Sequence, residues 1–489
     1  MEEQFEIRKE KLEKLKELGI EVYPYSFEKT HNFEQIKKDF SEMEEKEFEE
    51  KEISVAIAGR IVAIRKMGKS SFLHLFDGIT RLQIYIRKDM VSEKDFQVFK
   101  LLDIGDIIGV KGRLFKTRTG ELTVLVNELH FLTKSFHPLP EKWHGLQDKE
   151  LRYRNRHLDL IVNEKTREIF KVRSELIKTI RMFFFERGYT EVETPMMHPI
   201  PGGAAAKPFV THHNALDIDL YLRVAPELYL KRLLVGGMEK IFEINRNFRN
   251  EGISLKHNPE FTMIEFYELY KDFGYYMELT EDLFESLNEK LIPDKEIDFE
   301  DKKFSLKTPF KRKKYMELII EKSGIKEDDL WNEEKLKEFI KKNIPDEEMP
   351  PTYGKMLELM FDHFVEGSLL EPTFVTHYPR VISPLSKLSR EDKRLTERFE
   401  LYIAGMELAN GFSELNDPFD QRKRFEDQVK DREKGDDEAH SIDNDFLFAL
   451  EQGMPPAAGE GIGIDRLVML YTSTFSIKEV ILFPLLRPR

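Results

Sequence analysis

The run Lys240–Tyr270, KIFEINRNFRNEGISLKHNPEFTMIEFYELY, decides the fold of the larger part of this chain. Two stretches of alternating apolar and polar residues, Ile241–Arg249 and Glu260–Tyr270, flank a turn-rich connection that contains Gly252 and Pro259. Alternation with period two is the pattern of β-strands, and Gly and Pro are frequent in the turns between them. The run therefore predicts an antiparallel hairpin with a long loop.

Alternation along the second strand assigns its side chains to two faces. One face carries Phe261, Met263, Glu265 and Tyr267, and the other carries Thr262, Ile264 and Phe266. With Arg249 at the end of the first strand, the first face offers a guanidinium for phosphate, a ring for a base, and a carboxylate with a phenol for a cation. We interpret it as the wall of a binding site; the alternative is a structural Arg–Glu surface pair.

A second strand pair is predicted in Glu397–Leu415, ERFELYIAGMELANGFSEL, with Ala404-Gly405 as a two-residue turn. In that register Glu400 faces Ala409, and Glu400 and Glu407 lie diagonally on one sheet face. Two buried like charges repel unless a cation joins them, which favours Mg²⁺ between these acids and a phosphate. Two solvated acids are the alternative.

Two further polar residues, Asn410 and Glu414, have the opposite parity from Glu407. They reach its face only if the strand contains a β-bulge within Ala409–Gly411, which Gly411 would permit. Their place in the site depends on that bulge.

The run Gly459–Leu470, GEGIGIDRLVML, has alternate glycines followed by an amphipathic helix that begins near Arg466. Glycines without side chains let a backbone lie flat against a ligand. The run lacks the Gly-Lys-Ser/Thr of a phosphate-binding P-loop, and its glycine spacing is wrong for a dinucleotide fold. Taken alone it is weak evidence for a nucleotide site.

Short alternating runs separated by turn signals occupy Ile53–Leu132 and predict a small barrel of about five strands, of which the OB-fold is the commonest that binds oligonucleotides. Along Ser71–Phe76, three aromatic side chains share the face opposite Leu73 and Leu75: Phe72, His74 and Phe76. Cations stand nearby at Arg65, Lys66, Lys69, Lys111, Arg113, Lys116 and Arg118. Rings for stacking beside cations for phosphate suit a single strand; an ordinary solvated face is the alternative.

Composition bounds the remaining choices. The chain has 489 residues, 40% of them hydrophobic, and no cysteine. The length predicts two or three domains, and the lack of cysteine excludes disulfides, thiolate zinc sites and a cysteine nucleophile. A net charge of −14 argues against nonspecific nucleic-acid binding but permits a local basic patch. No run approaches the roughly 18 apolar residues of a membrane span, so we expect a cytoplasmic protein without membrane contact.

Changes in composition and in the spacing of apolar residues divide the chain into four parts. Residues 1–52 form an N-terminal helix and a charged connector, 53–132 the barrel, 133–150 a linker, and 151–489 a second domain with a helical insertion at about 278–370. Apolar residues at helical spacing predict a helix over Glu164–Arg187 that ends at Gly188.

Three runs, in order, resemble the signature motifs of class II aminoacyl-tRNA synthetases. Gly188–Pro195 (GYTEVETP) resembles motif 1, Phe248–Thr262 (FRNEGISLKHNPEFT) motif 2, and Gly461–Arg466 (GIGIDR) motif 3. PGGAAA at 201–206, APELYL at 225–230 and FSELND at 412–417 are similar to the lysine-specific members. The resemblance covers nearly the whole chain, including the barrel, and is weakest over about residues 25–52 and 300–350.

The resemblance implies an α+β fold, with an N-terminal OB-fold barrel joined to a catalytic domain built on an antiparallel sheet flanked by helices. It implies activation of L-lysine with ATP and transfer of lysine to the 3′ end of tRNA(Lys), with Arg249 and Arg466 as catalytic residues. ATP would contact Arg249, Glu251, His257, Asn258, Phe261 and Arg466, with adenine between the last two. Lysine would contact Gly203, Glu227, Glu265, Tyr267, Asn410 and Glu414. Glu400 and Glu407 would hold Mg²⁺.

The same family contacts the anticodon at positions that match Arg65, Phe72, Gln83 and Glu121, and pairs its subunits through motif 1, which implies a homodimer. Two alternatives stay open. A stand-alone ligase could use lysyl-adenylate to modify a protein, but such enzymes lack the barrel. A regulatory relative without chemistry would have lost Arg249, Glu400, Glu407 or Arg466, and all four are present.

Overall fold

The computed structural model describes residues 2–140, 146–299, 302–436, 438–439 and 441–488. The chain forms two compact units that divide between Arg167 and Glu168. The division lies later than the predicted start of the second domain at residue 151, so the helices that follow the linker belong to the first unit. Residues 141–145 of the predicted linker 133–150 lie outside the described residues.

The N-terminal unit is built around a five-stranded barrel. Its elements are α1 (Glu2–Glu17), α2 (Phe33–Phe40), α3 (Glu45–Lys51), β1 (Ser54–Met67), β2 (Ser70–Phe76), β3 (Arg81–Arg87), α4 (Glu93–Leu101), β4 (Ile107–Lys116), β5 (Leu122–Thr133), α5 (Lys149–Arg154) and α6 (Arg156–Val162). The strands close in the order β1-β2-β3-β5-β4, which confirms the predicted barrel. Leu73 and Leu75 of β2 are fully buried in its core, as their alternation predicts.

The charged connector of residues 28–52 is a packed part of this unit. Three apolar side chains spaced among its charges, Phe33, Ile36 and Phe48, are buried in the barrel core. Asn32 fixes the start of α2, because its side-chain oxygen accepts a hydrogen bond from the Gln35 backbone N–H at 2.7 Å. The connector therefore contributes apolar side chains to the barrel core.

The C-terminal unit surrounds an eight-stranded sheet, and the division between the units falls within α7 (Glu164–Glu186). Its further elements are β6 (Thr190–Glu191), β7 (Met197–His198), β8 (Val210–His213), β9 (Ile218–Leu222), α8 (Glu227–Val235), β10 (Lys240–Phe248), β11 (Glu260–Leu269), α9 (Phe273–Leu291), β12 (Glu296–Phe299), β13 (Lys302–Ser305), β14 (Lys311–Lys314), α10 (Tyr315–Ser323), α11 (Glu327–Leu330), α12 (Glu333–Asn343), α13 (Tyr353–Phe364), β15 (Thr373–Thr376), β16 (Arg398–Ile403), β17 (Met406–Ser413), α14 (Pro418–Glu433), α15 (Asn444–Glu451), β18 (Ala457–Gly463), α16 (Ile464–Tyr471) and α17 (Ile477–Val480). Short 3-10 helices cover Glu366–Ser368 and Arg380–Ile382.

The sheet order is β14-β15-β16-β17-β18-β11-β10-β6. The six central strands are antiparallel, as predicted, whereas β14 and β6 pair in parallel at the two edges. One sheet face packs against α7, α9 and α16, where Leu176, Phe266 and Leu467 are among the buried residues of the main core. The α+β arrangement of an antiparallel sheet flanked by helices is confirmed.

Local patterns predicted the elements of this unit well. β10 and β11 form the predicted hairpin, with Asn247 opposite Phe261. Ile264 and Phe266 face the core with no exposed area, so Glu265 and Tyr267 face the other side of the sheet. α7 ends as predicted at Gly188, whose φ of 79° is in the left-handed region that favours glycine.

The β16–β17 hairpin corrects the predicted register. Ala404 and Gly405 form its turn with φ of 54° and 66°, but Glu400 lies opposite Asn410 and not Ala409. The irregularity falls between Glu407 and Ala409, which leaves Leu408 as the extra residue. The bulge thus precedes the predicted position, and it places Asn410 beside Glu400.

The insertion predicted at about 278–370 is not entirely helical. Its described residues contain, besides α10 to α13 and most of α9, the β12–β13 hairpin and also β14, which joins the edge of the large sheet. All four residues of β14 (KRKK) are exposed and basic, a composition that protects a sheet edge from pairing with other chains. None of the helices in the described residues is both long and apolar enough to cross a membrane.

Candidate active site

A cleft of about 1050 Å³, its open mouth included, lies on the face of the sheet that carries Glu265 and Tyr267. It gathers twelve of the fourteen predicted ligand residues of this unit: Gly203, Glu227, Arg249, Glu251, His257, Asn258, Phe261, Glu265, Tyr267, Glu407, Asn410 and Arg466. The other two, Glu400 and Glu414, are buried and do not line the cleft. Residues distant in sequence therefore meet around one space.

One half of the cleft carries the arginine that follows β10. The guanidinium of Arg249 lies over the ring of Phe261, 5.1 Å from its centre. Its Nε is buried and has no hydrogen-bond partner among the described residues. A buried donor without an acceptor is unfavourable, which marks Arg249 as a position that gains from an anionic ligand.

The second arginine of this half is held by a neutral histidine. Arg466 donates from Nη1 to the Glu407 carbonyl at 2.5 Å and from Nη2 to His257 Nε2 at 3.1 Å. Since a guanidinium only donates, Nε2 must be unprotonated, and the other ring nitrogen lies 2.9 Å from Ser254 Oγ. Partial burial and then the charge of Arg466 lower the pKa of His257 to about 4. Arg249, and not Arg466, covers Phe261 here, so the adenine sandwich stays a prediction.

The other half of the cleft is acidic and buried. Glu265 is 5% exposed, and its carboxylate accepts a hydrogen bond from the Tyr267 hydroxyl at 2.9 Å. Burial, and then repulsion by Glu227, raise the pKa of Glu265 to about 8. This carboxyl therefore lacks a full counter-charge in the free protein, and a bound cation would supply one.

A lysine that the sequence analysis did not select lies between two of the predicted acids. The Lys231 ammonium ion-pairs with Glu227 and with Glu414, and its side chain is fully buried. Burial opposes its charge, but the two carboxylates outweigh burial and raise its pKa. Glu414 Oε1 is nevertheless buried without a hydrogen-bond partner among the described residues.

Gly459 makes room for the acidic half. A Cβ atom there would lie 2.2 Å from the Tyr267 ring and 2.5 Å from Glu414 Oε1. The glycine predicted to lie flat against a ligand instead lets two predicted ligand residues approach the backbone of β18. Any side chain at Gly459 would push them into the cleft.

The two predicted metal ligands differ in their surroundings. Glu400 accepts hydrogen bonds from Tyr378 at 2.7 Å, Tyr402 at 2.6 Å and Arg398 at 2.6 Å. Glu407 is 41% exposed in the cleft, with Arg466 at 3.5 Å. Among the described residues no group of three acids or histidines is arranged to hold a metal. A cation here would need ligand oxygens from a substrate in addition to these carboxylates.

Asp465 joins the segments that build the cleft. Its carboxylate accepts from the Thr262 backbone N–H at 2.7 Å and from Arg173 of α7 at 2.6 Å, and Arg173 also donates to the Thr262 hydroxyl at 3.1 Å. The start of α16 is thereby fixed to β11 and α7. These hydrogen bonds also fix the backbone position of Arg466, the next residue.

The residues predicted to contact an oligonucleotide lie on β1, β2 and β3 and directly before β5, and their role stays a prediction. Arg65 pairs with Phe72 across β1 and β2, and the Phe72 ring stacks on Tyr85 with 4.3 Å between centres. Gln83 donates to Thr123 at 2.9 Å, and His74 lies 3.2 Å from Glu121. Arg65 and Glu121 are exposed and Phe72 is partly exposed, whereas Gln83 is buried.

Phe76 does not belong to the predicted oligonucleotide surface, contrary to the sequence expectation. It is 6% exposed, and the guanidinium of Arg167 covers its ring at 4.7 Å from the centre. Alternation correctly gave its face, but alternation carries no information about a distant side chain that covers it. Tyr85 is the ring that the prediction missed, and its place opposite Phe72 follows only from the β2–β3 register.

Of the missed residues, two had a usable signal. Lys231 follows Glu227 by four residues, which places both on one face of α8. Asp465 directly precedes the predicted Arg466. Ser254 had none, because its contact with His257 depends on the shape of the loop.

Comparisons with known proteins agree with this geometry. A family model described as tRNA synthetases class II (D, K and N) matches residues 148–487, and one described as OB-fold nucleic acid binding domain matches residues 55–132. The chain is 52% identical to the lysine–tRNA ligase of Carboxydothermus hydrogenoformans, over 100% of this chain and 99% of the relative. It is 51% identical to that of Pelotomaculum thermopropionicum, over 100% and 96%, and 48% identical to that of Bacillus subtilis, over 100% and 98%.

Proposed function

This chain belongs to the class II tRNA synthetases and, within them, to the lysine–tRNA ligases, and from that premise we propose how its residues divide the reaction. It activates L-lysine with ATP to lysyl-adenylate and transfers the lysine to the 3′ end of tRNA(Lys). The observation that carries the division of roles is the single cleft that joins the arginines to the buried acids.

The acidic half binds the amino acid. Glu265 and Glu227 of the cleft lining supply carboxylates for its ammonium groups, and Tyr267 supplies a phenol oxygen. The buried Glu414 does not line the cleft and adds its negative charge. Gly203 and Asn410 border the same space. The raised pKa of Glu265 supports this role, because an ammonium ion beside a buried carboxylate offsets the cost of burying its charge. An amino acid with an uncharged side chain would leave at least one of these acids without a counter-charge, which is costly in a buried site.

The arginine half binds ATP and supports the chemistry. Arg249 takes the α-phosphate, Phe261 and Arg466 hold the adenine, and Glu251, His257 and Asn258 complete the site. A lysine carboxylate oxygen attacks the α-phosphorus and pyrophosphate leaves; the terminal ribose hydroxyl of tRNA then attacks the lysyl carbonyl carbon and AMP leaves. No protein nucleophile is needed, so the residues act by positioning and by stabilising developing charge.

Glu400 and Glu407 are proposed to hold Mg²⁺, which would neutralise phosphate charge when bound. The donor set fits, since Mg²⁺ is often held by one or two carboxylates together with substrate phosphates. Glu407 opens into the cleft, whereas three donors already occupy Glu400. We therefore assign Glu407 the direct role and expect Glu400 to give up a donor when it binds metal.

Pyrophosphate exchange with ATP, measured for each of the twenty amino acids, tests the assignment of the two halves. Lysine should support exchange, and Glu407→Ala should abolish most of it, by about 10²–10³-fold for the loss of one charge-stabilising group. The exposed Glu278 of α9 offers a control, because Glu278→Ala removes a carboxylate away from the cleft. Wild-type exchange in Glu407→Ala would refute its role.

The barrel surface at Arg65, Phe72, Gln83 and Glu121 is proposed to contact the anticodon of tRNA(Lys). Its support is the stacked pair Phe72–Tyr85 beside an exposed arginine, which suits a base and its phosphate. Transfer to tRNA, but not activation of lysine, should depend on this surface.

A homodimer is proposed from an apolar surface next to motif 1. Large apolar side chains are exposed on α7 and on the strands that follow: Met182, Phe185, Met196, Met197, Val210, Leu216 and Ile218. Clusters of exposed apolar residues mark interfaces, and C2 pairing is the commonest assembly. Light scattering at micromolar concentration should give a dimer, and Phe185→Asp should favour the monomer. We place the reaction in the cytoplasm, where translation uses the charged tRNA.

A further inference from the structure

The Lys231 ammonium contacts two acids of the lysine pocket from behind. Its Nζ lies 2.5 Å from Glu227 Oε1 and ion-pairs with Glu414 Oε2. The rings of Phe412 and Phe446 lie 5.2 Å and 5.9 Å away, so the charge is enclosed by aromatic and acidic groups. Lys231 does not line the cleft, and therefore it acts on a substrate only through the carboxylates it touches.

The charges of the pocket match its substrate only when Lys231 is counted. Glu227, Glu265 and Glu414 are buried, and Lys231 is the ammonium placed between two of them. When a bound ligand brings all three acids to their ionised form, the pocket with Lys231 has an excess of two negative charges, which matches the two ammonium groups of lysine. Without the ammonium of Lys231 the pocket would have three negative charges for the two ammonium groups of the substrate. Burial would then protonate one carboxyl.

We propose that Lys231 is a positioning residue for the amino acid substrate, a resident counter-ion that holds the Glu227 and Glu414 carboxylates in place and favours their ionisation. The proposal rests on the proposed binding of lysine in this pocket. The geometry supports it because Lys231 joins α8, which carries Glu227, to the end of β17, which precedes Glu414. Its loss would free both carboxylates to rotate.

A purely structural role is the competing explanation, and the two differ in what they change. A structural ion pair stabilises the fold, so its loss lowers stability and weakens both substrates together. A positioning residue changes the KM for lysine while the KM for ATP and kcat stay close to wild type. The matched control is Lys134 of the N-terminal unit, whose side chain is also fully buried between two carboxylates.

Lys231→Met and Lys134→Met should therefore be compared in pyrophosphate exchange. We expect Lys231→Met to raise the KM for lysine by about 30-fold or more, the lower bound for truncating one side of a buried charge pair. The KM for ATP should change by less than about threefold in both variants. An unchanged lysine KM, or equal rises for both substrates, would overturn the proposal. Absence of lysine-dependent exchange in the wild type would instead contradict the proposed function.

The pH profile supplies a readout that a structural role would not move. In the wild type the lysine KM should already fall as Glu265 ionises near pH 8. In Lys231→Met the carboxyls left without a counter-ion should ionise only at higher pH, so this fall in lysine KM should move to higher pH than in the wild type. The ionisable groups that face these acids are Arg223, Glu243, Glu265, Tyr267 and Arg398. If the methionine variant does not fold, Lys231→Arg decides: a profile like that of the wild type supports the counter-ion role, and an altered one overturns it.

Discussion

Two lysines have fully buried side chains, one in each unit. They differ in whether the carboxylates that pair with them have all their hydrogen-bond partners. In the barrel unit Lys134 donates to Asp103 at 2.7 Å, to Asp106 at 2.8 Å and to the Leu101 carbonyl at 3.0 Å. Its three ammonium protons are thereby all used. In the catalytic unit Lys231 pairs with Glu227 and Glu414, but Glu414 Oε1 keeps no partner in the described residues.

The barrel network is closed on the acidic side as well. Asp106 also accepts from the backbone N–H groups of Ser135 at 2.9 Å and Asp103 at 2.8 Å, and the second oxygen of Asp103 accepts from Lys11 at 2.6 Å. A closed network has nothing left to offer a ligand, whereas an open one gains when a cation arrives. Buried charges whose hydrogen bonds are all made therefore stabilise the fold, whereas those with an unsatisfied oxygen are available for binding.

The largest effect is expected from disrupting the Lys134 network. Lys134→Met leaves two carboxylates without their ammonium, and breaking a buried pair from one side costs about 3–5 kcal/mol. Denaturant unfolding of the barrel unit should show this loss, while lysine-dependent exchange stays unchanged at low temperature. A raised lysine KM in this variant would contradict the assignment of a structural role.

The next effect tests the open network. Glu265→Gln keeps the shape of the side chain but removes its charge. We expect the fall in kcat/KM for lysine to correspond to about 2–5 kcal/mol of lost interaction free energy, with little change in the KM for ATP. In the wild type kcat/KM for lysine should rise as the pH passes about 8, because the raised pKa delays ionisation of Glu265. Glu265→Gln should lose that rise.

Loss of ATP binding without loss of lysine dependence would instead place Glu265 in the nucleotide half. Glu278→Gln, on an exposed turn of α9, serves as the control for removal of one negative charge.

A smaller effect separates the two units in function. Phe72→Ala removes the ring stacked on Tyr85 and should weaken tRNA aminoacylation by about 1–3 kcal/mol, the contribution of one stacked base, without changing exchange. Tyr25→Ala is the control, since Tyr25 is fully exposed in the same unit. An equal loss in both assays would mean that Phe72 serves the barrel fold.

The smallest effect concerns a buried acid outside both networks. Glu460 is 2% exposed, and its carboxyl accepts from the Thr280 hydroxyl at 2.6 Å, which also lies 2.8 Å from the Tyr276 carbonyl. One hydroxyl proton serves both acceptors, so an ionised Glu460 would be poorly compensated for its burial. Burial raises the pKa of Glu460 well above its ordinary 4.5, which agrees with a protonated carboxyl.

Glu460→Gln, which is neutral at every pH, should match the wild type at pH values of about 4.5 and below. A folded pKa raised above the unfolded value means that stability is lost as the pH rises above about 4.5, by at most about 1.4 kcal/mol per pH unit. The variant should therefore become the more stable protein on the alkaline side. Parallel stability curves for the two proteins would show that Glu460 is already ionised.

Much of this arrangement was predictable because it is local in sequence. The period of two gave the barrel strands, the β10–β11 hairpin and the face that Glu265 shares with Tyr267. Helical spacing gave α7 and its end at Gly188. These patterns survive folding because each strand or helix must bury one of its own faces.

The sequence alone identified the residues that could line the cleft, since motifs 2 and 3 carry the two arginines and the separate runs 225–230, 240–270 and 397–417 carry most of the acids. Only the tertiary structure decided how they meet: the extra residue Leu408 sets Asn410 opposite Glu400, and Arg167 covers Phe76. It also closed the Lys134 network and left that of Lys231 open. The reason is that register, coverage and hydrogen-bond satisfaction depend on partners far away along the chain, and no local period records them.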